Sequence, residues 1–202
     1  MKLAGLGPVC AIALVTIACN SRQETPNKLE RTQSPVAGQS PVTAQSPATE
    51  SANYPVLVAQ AQEVNDAFQR RDFARMVDLT YPKVIEAAGG RDKMIAALAK
   101  EMKEMEDEGV SVLSSTAATP TQIVHVSGWI YAVVPTTLKV KAKGGIFQTE
   151  SSMIGISSNA GATWTFIDAG GKDHSELRRL LPDATDKLNL PPEKQPMKIA
   201  NN

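Results

Sequence analysis

The sequence predicts an α+β domain in which N-terminal helices pack on a curved antiparallel sheet. Three observations carry that expectation. Apolar residues recur at helical spacing from Leu57 to Met105, the period switches to alternation after Gly109, and residues 20–53 have neither period. Helices followed by a run of strands is the order of a domain whose helices cover one face of a meander.

Leu57, Ala61, Val64 and Phe68 form the apolar stripe of a first helix that runs into "QRRD". Asp72 is placed to cap a short second helix carrying Phe73, Met76 and Val77. Pro82 suits the first turn of a third, which Gly89 and Gly90 end. Met94, Ile95, Leu98, Met102 and Met105 stripe a long helix stopped by Gly109. Its outer face pairs Lys100 with Glu104 and Lys103 with Asp107, each pair worth a few tenths of a kcal/mol. The methionines serve either as core filler or as a flexible binding face.

Five stretches then read as strands: "VSVLSSTAAT", "QIVHVSGWIYAVV", "TTLKVKA", "FQTESSMIGIS" and "ATWTFID". Read as one strand, the second puts Val124, Val126, Ile130, Ala132 and Val134 on one face. Ile123, His125, Ser127, Trp129 and Tyr131 fall on the other. With that second face outward, His125, Trp129 and Tyr131 mark a partner or dimer surface. With it inward, His125 is a candidate general base beside Tyr131. A third reading is a hydrogen-bonded histidine on a half-exposed sheet, and the pattern leaves all three open. Asp78, Glu86, Glu150 and Asp168 are the candidate acids for such a pair. Asp168, ahead of "AGGK", reads first as a turn former, and Glu150 as solvent-facing. Lys139, Lys141 and Lys143 share a face, either as an anion-binding patch or as protection of an edge strand.

"SSNAGATW" resembles the Asp-box of sialidase-like propellers, with Asn159 in the Asp place. A propeller needs at least four blades of four strands, each blade taking roughly forty residues, and too little chain follows Gly109 for that. The box is therefore a hairpin clip. Asn159 accepts a backbone hydrogen bond, Gly161 takes φ > 0, and Trp164 packs back as the next strand begins.

From about Val56 to Asp168 the order of elements resembles the nuclear transport factor two-like cone fold, which includes the SnoaL-like cyclases. "AFQRRDFARMVDLTYPKVIEAAGG" and the final Trp-x-Phe-Ile strand carry the likeness. The resemblance implies a cavity between helices and sheet, used by some members for dehydration, isomerisation or cyclisation and by others only to bind or dimerise. No position matches a family catalytic motif residue by residue, and fold alone does not set function.

The opening "MKLAGLGPVCAIALVTIACN" has Lys2, then an apolar run broken by Gly5, Gly7 and Pro8 and too short to span a bilayer. It reads as an export signal over residues 1–18. "TIAC" resembles the bacterial lipobox, with Thr16 where Leu, Val or Ile is usual, so Cys19 is the expected lipidation site. Each buried acyl CH₂ would contribute about 0.8 kcal/mol to membrane residence. The alternative is simple cleavage after Ala18, leaving a free thiol. Asn20 in place of Asp points, by the same resemblance, to the outer membrane. The rest of residues 19–53 is Gln/Ser/Pro-rich, with "QSP" at Gln33, Gln39 and Gln45. Such a tether cannot offset its ordering entropy by burial, and as a coil it would span about 30 Å.

The expected organisation is a domain over 54–181 and a Pro-rich extended tail over 182–202, which Leu188 and Leu190 either pin across the surface or leave loose. Both cysteines, Cys10 and Cys19, precede the domain, and its histidines are His125 and His174 alone. No disulfide, metal site or cofactor is therefore expected in it. The 21 basic and 21 acidic residues imply no nucleic acid partner, and no nucleophile elbow, phosphate loop or dinucleotide fingerprint occurs. The leading expectation is a lipid-anchored cell-envelope binding or accessory module. The alternatives are a cofactor-free enzyme acting on an apolar ligand and a homodimeric scaffold joined through the sheet.

Overall fold

The computed structural model describes residues 54–192 and 194–199; the expected export signal, Cys19 and the expected tether lie outside them. Four helices lead: α1 (Pro55–Arg70), α2 (Phe73–Asp78), α3 (Pro82–Ala87) and α4 (Arg91–Asp107). Arg71 closes α1 in the left-handed region at φ 59°, and the Asp72 side chain accepts the Arg75 N–H at the start of α2. Val77, Met94 and Leu98 form a small core among α2, α3 and α4. Met94 and Met102 are buried, so the methionine stripe is packing there.

The strands are β1 (Ser111–Ala117), β2 (Gln122–Val126), β3 (Trp129–Ala142), β4 (Gly145–Ser157), β5 (Thr165–Asp168) and β6 (Met197–Ile199). They form one strongly curled antiparallel sheet, a half-barrel. The long strands β3 and β4 pair along their whole length. β1 and β2 share the far edge of β3, and β5 and β6 share the far edge of β4. Between α2 and α3 the chain seals part of β5, with Tyr81 N–H donating to Phe166 O (2.9 Å) and Phe166 N–H to Leu79 O (2.8 Å).

Two strand expectations are corrected. "QIVHVSGWIYAVV" is a hairpin, because Ser127 (φ 51°) and Gly128 (φ 83°) make a two-residue turn. The strand also continues through Pro135, whose carbonyl accepts from Ala118 N–H (2.9 Å). The proline nitrogen faces that same side, where the partner changes from β2 to β1, so its missing N–H disrupts no ladder bond. β3 is therefore a central strand, and protection of an edge does not explain Lys139 and Lys141.

The sheet is covered on both faces at one end, which explains the unbroken buried runs 130–134 and 152–157. On the helix face, Leu57 and Ala61 of α1 meet Ile123, Ile130, Ala132, Val134, Met153, Trp164 and Phe166. Gly155 allows the approach: a Cβ there would lie 3.0 Å from Leu57 Cδ1. On the outer face, a C-terminal segment packs on Val126, Tyr131, Val133, Ile154, Ile156 and Ile167. That segment contains α5 (His174–Leu180), started by an Asp173–Glu176 capping box, and a 3₁₀ turn (Thr185–Lys187). Leu177, Leu181, Ala184 and Leu188 are its buried contacts, so of the two readings of this segment the pinned one holds at Leu188.

Candidate functional site

The helix face of the sheet is filled differently at its two ends. Near the β2–β3 hairpin its residues are large and apolar. Farther along, Ser115, Thr136, Thr149 and Ser151 stand in the same rows, and their short side chains leave space beneath α1. The result is a cavity of about 140 Å³. Val64, Asn65 and Phe68 roof it, Leu79, Leu138, Met153 and Phe166 supply apolar wall, and Asp168 and Lys172 stand at one side.

The roof is fastened by amides. Asn65 is buried; its Nδ2 donates to Ala61 O (3.1 Å) and its Oδ1 accepts from Ser115 Oγ (2.5 Å). Gln62 caps the free edge of the same strand, donating to Ser115 O (3.3 Å) and accepting from Ala117 N–H (2.8 Å). Gln69 also donates to Ser115 O (3.1 Å). Nothing in the expectations singled out Gln62, Asn65 and Gln69. Their signal is an amide row at i, i+3 and i+7 beside the apolar stripe of α1, which places three side chains over one strand.

Two hydroxyls in this region differ in their satisfaction. Ser115 Oγ is bonded to Asn65, whereas Thr149 Oγ1 is buried with no hydrogen-bond partner among the described residues. Asp168, at the end of β5, accepts the Gly170 N–H (3.0 Å), so it forms the expected turn and also lines the cavity. Gly170 passes so close to β4 that a Cβ on it would lie 2.7 Å from Ser151 Oγ.

The residues singled out from the strand 122–134 do not gather at this cavity. In the hairpin register His125 lies opposite Ile130, Val124 opposite Tyr131 and Val126 opposite Trp129. His125 therefore shares the helix face with Ile123, while Trp129 and Tyr131 share the outer face, and the expected three-residue surface is split. His125 is exposed at the start of α1, its Nε2 3.3 Å from Tyr54 Oη, and Tyr54 stacks edge-on against Trp164. Tyr131 is buried with Tyr81 under the C-terminal segment, and burial first, then Tyr81 and Asp183, raises its pKa. The pairing of His125 as base with Tyr131 is thus excluded by the thickness of the sheet between them.

The other acids are occupied or remote. Asp78 receives Arg91 Nε (3.1 Å) and Nη2 (2.9 Å), and Glu86 is exposed on α3. Glu150 points to the outer face, where Lys194 donates to it at 2.6 Å; that hydrogen bond is the chief reason its pKa is lowered. Among the described residues no cluster of three His, Cys, Asp or Glu side chains is arranged to hold a metal ion, and no helix is long and apolar enough to cross a membrane. The clip at 157–164 forms as expected. Asn159 Oδ1 accepts from Thr163 N–H (3.0 Å), Gly161 has φ 85°, and Trp164 Nε1 donates to Gly161 O (3.0 Å).

No protein-family model matches this chain, and no curated protein or solved structure matches it either.

Proposed function

We propose that this chain is a cell-envelope binding module, attached to lipid through Cys19 and holding a small, mainly apolar ligand in the cavity beneath α1. The cavity is the observation that carries the reading. At about 140 Å³ it is close to the size of an apolar cavity that takes up benzene, which limits a fully enclosed ligand to roughly ten non-hydrogen atoms. It is well below the 300–1,000 Å³ typical of drug-sized sites, which disfavours a large polycyclic ligand. The polar side, with Thr149, Ser151 and Asp168, suits a ligand that carries one hydroxyl or amine on an apolar body. The resemblance to cone domains supports the same place, since their ligands sit between helices and sheet.

Two measurements test this. Native mass spectrometry of protein purified from envelopes reads the modification of Cys19 and any retained small molecule together. A thermal-shift series with benzene, phenol and indole reads the cavity directly. Phenol is expected to raise the melting temperature, and Ser151→Leu, which fills the cavity, to abolish the rise. No shift with any of the three would end the binding reading, and an unmodified Cys19 would end the anchor.

A second reading has a specific observation behind it. Asp168 places a carboxylate on the cavity wall, so a cofactor-free enzyme would use Asp168 as its base rather than His125. Asp168→Asn would then stop turnover of a bound ligand while leaving its binding within a few-fold.

A further inference from the structure

We propose that the uncovered half of the outer sheet face docks on an anionic lipid surface. The C-terminal segment covers the outer face near the β2–β3 hairpin, and residues 189–192 and Lys194 continue past Thr137, Glu150 and Ser152 at its middle. Toward the other end Lys139 and Lys141 project from β3, with Gln148 and Ile146 opposite them on β4. β6 extends the same rows with Met197 and Ile199, and Lys143 stands in the turn that joins β3 to β4. Met197 is 52% exposed.

Lysines flanking a central strand need another reason than edge protection. Among the described residues Lys139, Lys141 and Lys143 enter no ion pair, and the nearest carboxylate on that face, Glu150, is held by Lys194. Glu106 and Asp107, at the end of α4 on the helix side, are taken by Arg71 and Lys103. Unpaired ammonium groups around the exposed Met197 and the half-buried Ile146 and Ile199 match the bilayer interface. There the lysines reach phosphates while the apolar side chains enter the headgroup boundary. A nucleic acid or acidic protein would use the charge but leave Met197 without a role. The face lies up to roughly 40 Å along β3 from the hairpin near Tyr54, beyond the coil span of the proposed tether but within the roughly 100 Å that it covers when extended. The inference stands on the face alone, so its test removes the anchor.

The test is vesicle flotation of the chain from residue 19 onward carrying Cys19→Ser, which has neither the apolar leader nor a lipidation site. Vesicles of phosphatidylcholine with about one third phosphatidylglycerol are compared with pure phosphatidylcholine. Binding only to the anionic vesicles, weakened at least about tenfold between roughly 0.05 and 0.5 M salt, is expected. Lys139→Glu with Lys141→Glu should reduce it at least about tenfold, whereas Lys93→Glu with Lys187→Glu, the same charge change elsewhere, should not. If the reversals lower the melting temperature, Lys139→Gln with Lys141→Gln serves instead, with a smaller expected loss. Equal binding to neutral vesicles, no binding, or equal losses from both double variants would overturn the proposal. So would light scattering that shows a dimer broken by the Lys139 and Lys141 changes, because the face would then belong to a second copy.

Discussion

Two hydroxyl groups beside the same cavity should respond to the same chemical change with opposite sign. Thr149→Val exchanges a buried hydroxyl that has no partner for a methyl. Valine keeps the β-branch that β4 favours, so the rotamer and the strand propensity are retained. An unsatisfied buried hydroxyl costs about 1–3 kcal/mol, so the substitution should stabilise the fold by about 1–2 kcal/mol. For a domain of this size that corresponds to a melting temperature higher by roughly 2–8 °C. Ser115→Ala removes a hydroxyl that donates to Asn65 at 2.5 Å and is itself buried. It leaves the Asn65 carbonyl oxygen unpaired and should cost about 1–2 kcal/mol. Urea titrations of both variants, with slopes compared to confirm an unchanged unfolding transition, read the two values. A destabilised Thr149→Val would refute the reasoning, since it would mean that Oγ1 has a partner in solution.

Three further outcomes follow from the packing. Gly155→Ala brings a Cβ within 3.0 Å of Leu57 and 3.3 Å of Phe166 and Trp164, and should cost about 1–3 kcal/mol in a urea melt; a neutral result would mean that α1 sits farther from β4. Leu188→Ala should cost about 2–4 kcal/mol, and a loss under about 0.5 kcal/mol would show that the C-terminal cover is not part of the cooperative unit. The Glu150 pKa is lowered in the fold by Lys194, so the stability this pair contributes is present above the ordinary value of 4.5 and is lost as pH falls through the lowered one. Protection of the Met197–Ile199 amides, taken relative to the intrinsic exchange rate at each pH, should therefore fall in acid, and Lys194→Met should remove that pH dependence; an unchanged profile would show that β6 is held by its ladder alone.

Some of this architecture was legible in one dimension because the interactions behind it are local. The stripes at Leu57–Phe68 and Met94–Met102 follow from the helical repeat. The Asp72 cap and the Asn159 clip need partners only three or four residues away. Other features depended on distant chain. The Ser127–Gly128 turn reads as easily as two more strand residues, and only the pairing of β2 with β3 decides between them. That one decision moved His125 to the opposite face from Trp129 and Tyr131. The cavity was not legible as a place, since it is set by short residues from β1, β3 and β4 lying side by side under α1.

By itself, then, the sequence determined the helices, their caps, the strand-rich second half and the α+β class, because periodicity and capping act within a few residues. Only the tertiary structure decided which strand is central, where the sheet is left underfilled, and that residues 174–188 cover the outer face. Those properties depend on register and on burial between segments dozens of residues apart, and no local pattern encodes which segment meets which.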